Sequence, residues 1–159
     1  MRIVSFEDHI GRRVGALNDD VVADVSAVDG GLPADMIDLI ALGSAGLFQM
    51  RNALSRAPRL PLTSLKLLAP IPRPRKNVIA VGRNYRDHAK EFSDSGFDAS
   101  EKQMVPDHPV IFTKSPTSVV GPDVAIDTSN DPLGTTDYEG ELAFVIGAPA
   151  KSVPVERAM

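Results

Sequence analysis

The segment from Ala57 to Lys76, APRLPLTSLKLLAPIPRPRK, carries five prolines and constrains the fold more than any other stretch. Proline has no backbone N–H, and its ring collides with the preceding turn of a helix, so no continuous helix passes through. The chain here is extended, in part as polyproline II. It reads as the connection between a small N-terminal α/β unit, residues 1–70, and a second unit, residues 71–159. The competing reading is a proline-rich edge segment within one domain.

The flanking patterns differ. Before it, RIVSFE reads as a strand, and RRVGALNDDVVADVSAV as a hairpin turning at Asn18, Asp19 and Asp20. PADMIDLIALG reads as a helix with Pro33 near its start, Asp35 in its first turn and Gly43 as its stop. Its Met36, Ile37, Ile40 and Ala41 share one face. A second helix, SAGLFQMRNALSR, has Ser44 as N-cap and aligns Leu47, Met50 and Leu54. After the prolines, NVIAVG is a buried strand, Gly82 a turn, and NYRDHAKEF helical. VIFTKS is a further strand, and VAIDTSNDPLGTTDYEGELAFVIG two strands around a turn at Asn130, Asp131, Pro132 and Gly134. The polar loop between them, Ser93 to Asp107, has the length and composition of a lid over bound substrate.

Bulk properties exclude several functions. At 43% hydrophobic and 24% charged residues the chain can bury a core, so general disorder is excluded. A formal charge of −4 without a basic block argues against nucleic acid as a partner. The absence of cysteine removes disulfides, thiolate metal sites and a thiol nucleophile. No run approaches the length of a membrane span, so a soluble, cytoplasmic protein without a membrane partner is expected.

Two constellations carry chemistry. In DYEGELAFVIG a strand would place Asp137, Glu139 and Glu141 on one face, with the apolar Leu142, Phe144 and Ile146 in the core. Carboxylates two positions apart lie about 6–7 Å from each other. A divalent cation would relieve their repulsion, and an all-oxygen set favours Mg²⁺, Mn²⁺ or Ca²⁺ over Zn²⁺. The alternative is a solvated acidic edge. A calcium-loop reading from Asp127 fails, because Pro132 falls where glycine is required and Tyr138 where glutamate is. The second constellation is GRNYRDHAKE. His88 and Glu91 are helix neighbours, and a carboxylate beside imidazole raises its basicity, as a general base requires. Ordinary surface pairing is the alternative. The turn at Gly82 and Asn84 offers N–H groups to a substrate carboxylate, and Lys114 at a strand end offers an anion contact.

NVIAVGRNYRDHAKE, PVIFTKSPTSVVGP and DYEGELAFVIG occur in the order of the fumarylacetoacetate hydrolase family. The chain resembles this family from about Pro70 to Gly147, and its first 70 residues resemble the small N-terminal domain of bacterial members. The resemblance implies an α+β fold: the small N-terminal α/β unit, then a mixed, mainly β roll, incomplete at the C-terminus and paired as a homodimer. It also implies that Glu139 and Glu141 ligate Mg²⁺ or Mn²⁺ (Ca²⁺ as a further option), with His88 and Glu91 activating water. Arg83, Asn84, Tyr85 and Lys114 are the implied substrate contacts. The implied reaction is hydrolytic or lyase cleavage of a C–C bond in a diketo or 2-oxo acid through a metal-stabilised enolate. Decarboxylation, isomerisation or hydration of a related 2-oxo acid, or an inactive fragment, are the alternatives. The family's third metal ligand, an Asp on a later strand, is expected beyond Met159.

Overall fold

The computed structural model describes residues 1–28, 31–87, 89–90 and 107–158. It forms two compact units, one of Met1–Ile71 with Gly121–Met159, the other of Pro72–Val120. None of the described helices is long and apolar enough to cross a membrane.

The first unit is built on an antiparallel sheet. Strand β1 (Arg2–Asp8) pairs with β2 (Gly11–Asn18), which pairs with β3 (Val21–Ala23). The expected turn lies between β2 and β3, with Asp19 in the left-handed region (φ 49°), where aspartate is tolerated better than most residues. The proline-rich segment supplies both edges: β4 (Arg59–Pro61) beside β3 and β5 (Lys66–Leu67) beside β1, in the order β4-β3-β2-β1-β5. Edges are where a sheet tolerates a residue without an N–H. Between Pro61 and Lys66 the chain turns through a 3-10 helix, Leu62–Ser64. Those five steps reach at most about 18 Å when fully extended, whereas four inter-strand gaps in a flat sheet span about 19 Å. A chain shortened by a helical turn cannot bridge a flat sheet, so the sheet curls until its edges approach.

Each face of the sheet has its own core. Val14, Ala16 and Ala23 pack with Met36, Leu39, Met50, Ala53 and Ala57. Helix α1 (Met36–Ala41) is N-capped by Asp35, whose carboxylate accepts from the N–H groups of Ile37 (2.8 Å) and Asp38 (3.3 Å). The buried stripe of α1 is Met36 and Leu39 rather than the expected set, and Ala41 is exposed. Gly43, with φ +57°, turns the chain into α2 (Gly43–Ala53). Ser44 does not cap α2; Leu42 holds that position without a side-chain bond. The other sheet face is filled by Phe6 and Val22, both fully buried. Gly15 lies between them, where a Cβ would meet Val22 Cγ1 at 2.4 Å and the Ala23 carbonyl oxygen at 2.9 Å.

Arg13 lies on this second face, its guanidinium carbon 5.1 Å from the Phe6 ring centroid. It donates to both Asp8 oxygens (3.0 and 2.6 Å) and from Nε to Asp24 (2.7 Å). Asp24 also accepts from the Ala27 N–H at 3.2 Å, capping a 3-10 turn, Val25–Ala27. The network therefore ties β1, β2 and the exit of β3 together.

The second unit contains a two-stranded ribbon, β6 (Val78–Gly82) antiparallel to β7 (Val110–Lys114). Both strands fall where expected, but β6, read as a buried strand, is exposed at Val78 and Ile79 and half-buried from Ala80 to Gly82, because β7 is its one partner among the described strands. The ribbon is apolar on both sides, with Ile79 71% and Ile111 57% exposed.

Candidate functional site

The β6–β7 ladder positions the candidate substrate residues of the second unit. Gly82 pairs with Val110, and the chain leaves the ladder at Arg83, a non-glycine residue with φ +52°. Such a conformation in arginine is uncommon and marks a position whose geometry the neighbours enforce. Asn84 and Tyr85 follow, both exposed, and a helical turn begins in which the Ala89 N–H donates to the Tyr85 carbonyl at 2.9 Å. Ala89 is fully buried and anchors this turn. His88 and Glu91 lie outside the described residues, as do all but the last residue of the expected lid, Ser93 to Asp107.

Lys114 sits at the other end of the ladder. It pairs with Val78, four residues from Gly82, which places its backbone about 13 Å along the strand from the Gly82 turn. The structure thus gathers Arg83, Asn84 and Tyr85 at one end of the ribbon and separates Lys114 from them. Lys114 Nζ lies 5.8 Å from the centroid of the Phe112 ring. Next to it, Asn77 donates to the Thr113 hydroxyl at 3.3 Å, closing that end of the ribbon. The sequence offered no periodic signal for this polar pair.

Glu139 and Glu141 belong to the first unit. The expected turn before them forms: Gly134 adopts φ +63°, and the Asp131 carboxylate accepts from the Thr136 N–H (2.6 Å), the Thr136 hydroxyl (2.7 Å) and the Thr135 hydroxyl (3.3 Å). These bonds, the Thr136 hydroxyl foremost, hold the Asp131 carboxyl well below the usual carboxylate range. The expected strands do not form. None of the described residues from Ser115 to Ala158 is in a strand, and Leu142, Phe144 and Ile146 are 73%, 69% and 82% exposed rather than core. The physical reason is that a strand exists by pairing. None of the described strands joins this segment in a ladder, so its apolar side chains have no sheet on which to stand.

The donor set fits a hard divalent cation in kind, since Glu139 and Glu141 are exposed carboxylates close in sequence. It falls short in number. Among the described residues no group of three or more Asp, Glu, His or Cys side chains is assembled to hold a metal.

The profile of the Fumarylacetoacetate (FAA) hydrolase C-terminal family matches residues 77–159. The chain belongs to the fumarylacetoacetate hydrolase family. The matched range begins one residue before β6 and contains all eight candidate site residues. Oxaloacetate tautomerase YisK of Bacillus subtilis (strain 168) is 37% identical over 136 residues, covering 80% of this chain and 43% of that protein. The mitochondrial oxaloacetate tautomerase FAHD2A of Homo sapiens is 36% identical over 168 residues, covering all of this chain and 49% of that protein. The chain spans about half the length of the curated relatives it matches. A solved fumarylacetoacetate hydrolase from psychrophilic Exiguobacterium antarcticum is 33% identical with a TM-score of 0.57, covering 83% of this chain and 42% of that one. It supports the α+β class read from the sequence.

Proposed function

We propose that this protein acts as a divalent-metal-dependent enzyme on a 2-oxo acid, and that its reaction is keto–enol tautomerisation of a short dicarboxylate such as oxaloacetate. The observation that carries the reaction type is that relatives matching the chain from its N-terminal sheet through the carboxylate segment are oxaloacetate tautomerases. C–C bond hydrolysis, the first expectation from the family resemblance, becomes the second reading, favoured by the Exiguobacterium hydrolase.

Both readings use the same residues. Glu139 and Glu141 hold the cation, Mg²⁺ or Mn²⁺, with a further ligand from outside the described cluster. When bound, the cation supplies Lewis acidity toward the 2-oxo and carboxylate oxygens of the substrate. His88, with Glu91 fixing its tautomer, accepts a proton. In tautomerisation that proton comes from C3 and returns to the substrate oxygen, and no C–C bond breaks. In hydrolysis it comes from water. Arg83 meets a substrate carboxylate, Asn84 and Tyr85 offer hydrogen bonds beside it, and Lys114 offers an anion contact at the other end of the ribbon. Pairing of two copies belongs to the same proposal, and size-exclusion chromatography with light scattering tests it.

The test follows the ultraviolet absorbance of enol-oxaloacetate with the protein and Mn²⁺ or Mg²⁺. Tautomerisation above the buffer rate, abolished by chelator and reduced at least 100-fold in Glu141→Gln, is expected. A rate indifferent to chelator and to that substitution would sink the metal assignment. Release of pyruvate from an acylpyruvate, with oxaloacetate untouched, would replace tautomerisation by hydrolysis.

A further inference from the structure

We propose that Gly121 is the point at which the N-terminal sheet takes hold of the carboxylate-bearing segment, acting as a positioning residue for Glu139 and Glu141. The chain re-enters the first unit at this residue, the second unit ending at Val120. A Cβ on Gly121 would lie 3.1 Å from the Leu67 carbonyl oxygen, 3.2 Å from Leu68 Cα and 3.3 Å from the Ala69 nitrogen. All three are main-chain atoms, which cannot rotate away as a side chain would. The φ of Gly121 lies outside the left-handed region, so it is space rather than backbone conformation that favours glycine here.

The surface Gly121 meets is itself fixed. The Leu68 N–H donates to the Ser5 carbonyl at 2.9 Å, and the Ser5 hydroxyl donates to the Pro70 carbonyl at 2.7 Å. Ala69 is buried. Residues 67–70 are thus bonded to β1, and Gly121 rests on them. Between Gly121 and Glu139 the Asp131–Thr136 clasp removes further freedom. The five-stranded sheet, whose strands lie outside residues 77–159, would in this way fix where the carboxylate segment begins.

The anchor is testable by distance because the chain has no cysteine of its own. Nitroxides are attached to Asn18→Cys, in an exposed sheet turn, and Val124→Cys, 45% exposed and three residues past Gly121. Dipolar electron paramagnetic resonance reads the distance distribution within the first unit. We expect a single narrow distribution, at least doubled in width by Gly121→Val and broadened less by Gly121→Ala, whose methyl needs only a few tenths of an ångström. Gly147→Ala, where a Cβ meets nothing within 4 Å, serves as the control and leaves the distribution unchanged. Should Gly121→Val not fold, Gly121→Ala alone decides. Unchanged distributions in the Gly121 variants, or a broad one in the parent, overturn the anchor. Its catalytic relevance rests on Glu139 and Glu141 holding the cation, which a Mn²⁺ titration of the parent reads separately. Mn²⁺ binding unchanged by Glu141→Gln would count against that assignment, whereas the distance test judges the anchor.

Discussion

Replacing Arg13 by methionine removes the cation from a buried network of two carboxylates. The Arg13 side chain is 10% exposed and that of Asp24 4%, so neither carboxylate recovers full hydration when the guanidinium is gone. Removing one partner of such a pair costs about 3–5 kcal/mol, mainly through the uncompensated charge left behind. Methionine retains part of the contact with the Phe6 ring, which puts the expectation near the lower end, about 3 kcal/mol. Against a typical total of about 5–15 kcal/mol that is a large loss. With a urea dependence of about 1–3 kcal/mol per molar, the midpoint falls by about 1–3 M. Circular dichroism in urea measures it. Arg13→Met/Asp24→Asn, which neutralises one of the two stranded charges while keeping an oxygen for the Ala27 N–H, should regain about half the loss. The network also leaves a mark in acid. The Arg13 guanidinium lowers the Asp8 carboxyl from 3.8 to about 2. A carboxyl lowered on folding stabilises the native state above its ordinary value, and that contribution is lost as pH falls toward 2. Wild type should therefore weaken between about pH 4 and pH 2 more steeply than Arg13→Met. A single variant costing under about 1 kcal/mol, or a double variant no more stable than the single, would refute the charge-burial account.

Gly15→Val forces side-chain atoms against the Ala23 carbonyl and between Phe6 and Val22, and should cost about 1–3 kcal/mol or more in the same urea assay. Asp35→Ala removes the cap that serves two N–H groups of α1 and should cost about 1 kcal/mol, whereas Asp35→Asn should cost much less. Arg83→Gly removes the side chain at a position whose φ of +52° glycine adopts freely. Under the proposed function KM for oxaloacetate, read by steady-state kinetics, should rise about tenfold, the effect of about 1.4 kcal/mol.

Much of the fold was legible in the chain because local signals and tertiary placement agree. The Asn18–Asp20 turn, the Met36 and Met50 helices and the strands at Val78 and Val110 each carry their own periodicity and punctuation, and all form. Where signals conflicted, tertiary context decided. The prolines around β4 and β5 read as a connection because proline opposes regular structure in general. Only the strand order of the folded sheet offers them edges where the missing donor does no harm. The Arg13 network was invisible for a related reason. Asp8, Arg13 and Asp24 have no helical spacing, and antiparallel pairing with the exit of β3 brings them together.

The candidate site divides along the same line. Residue types and their order were enough to recognise the family and, through that resemblance, to nominate Arg83 to Tyr85, Glu139 and Glu141 as candidates. Their arrangement was not. A ladder register, read only in three dimensions, sets Lys114 at the far end of the ribbon from Arg83. The run Leu142 to Ile146 has the alternation and apolar content of a strand yet joins no ladder of the described strands and stays exposed. Alternation is a property of one segment, and a strand is a property of two.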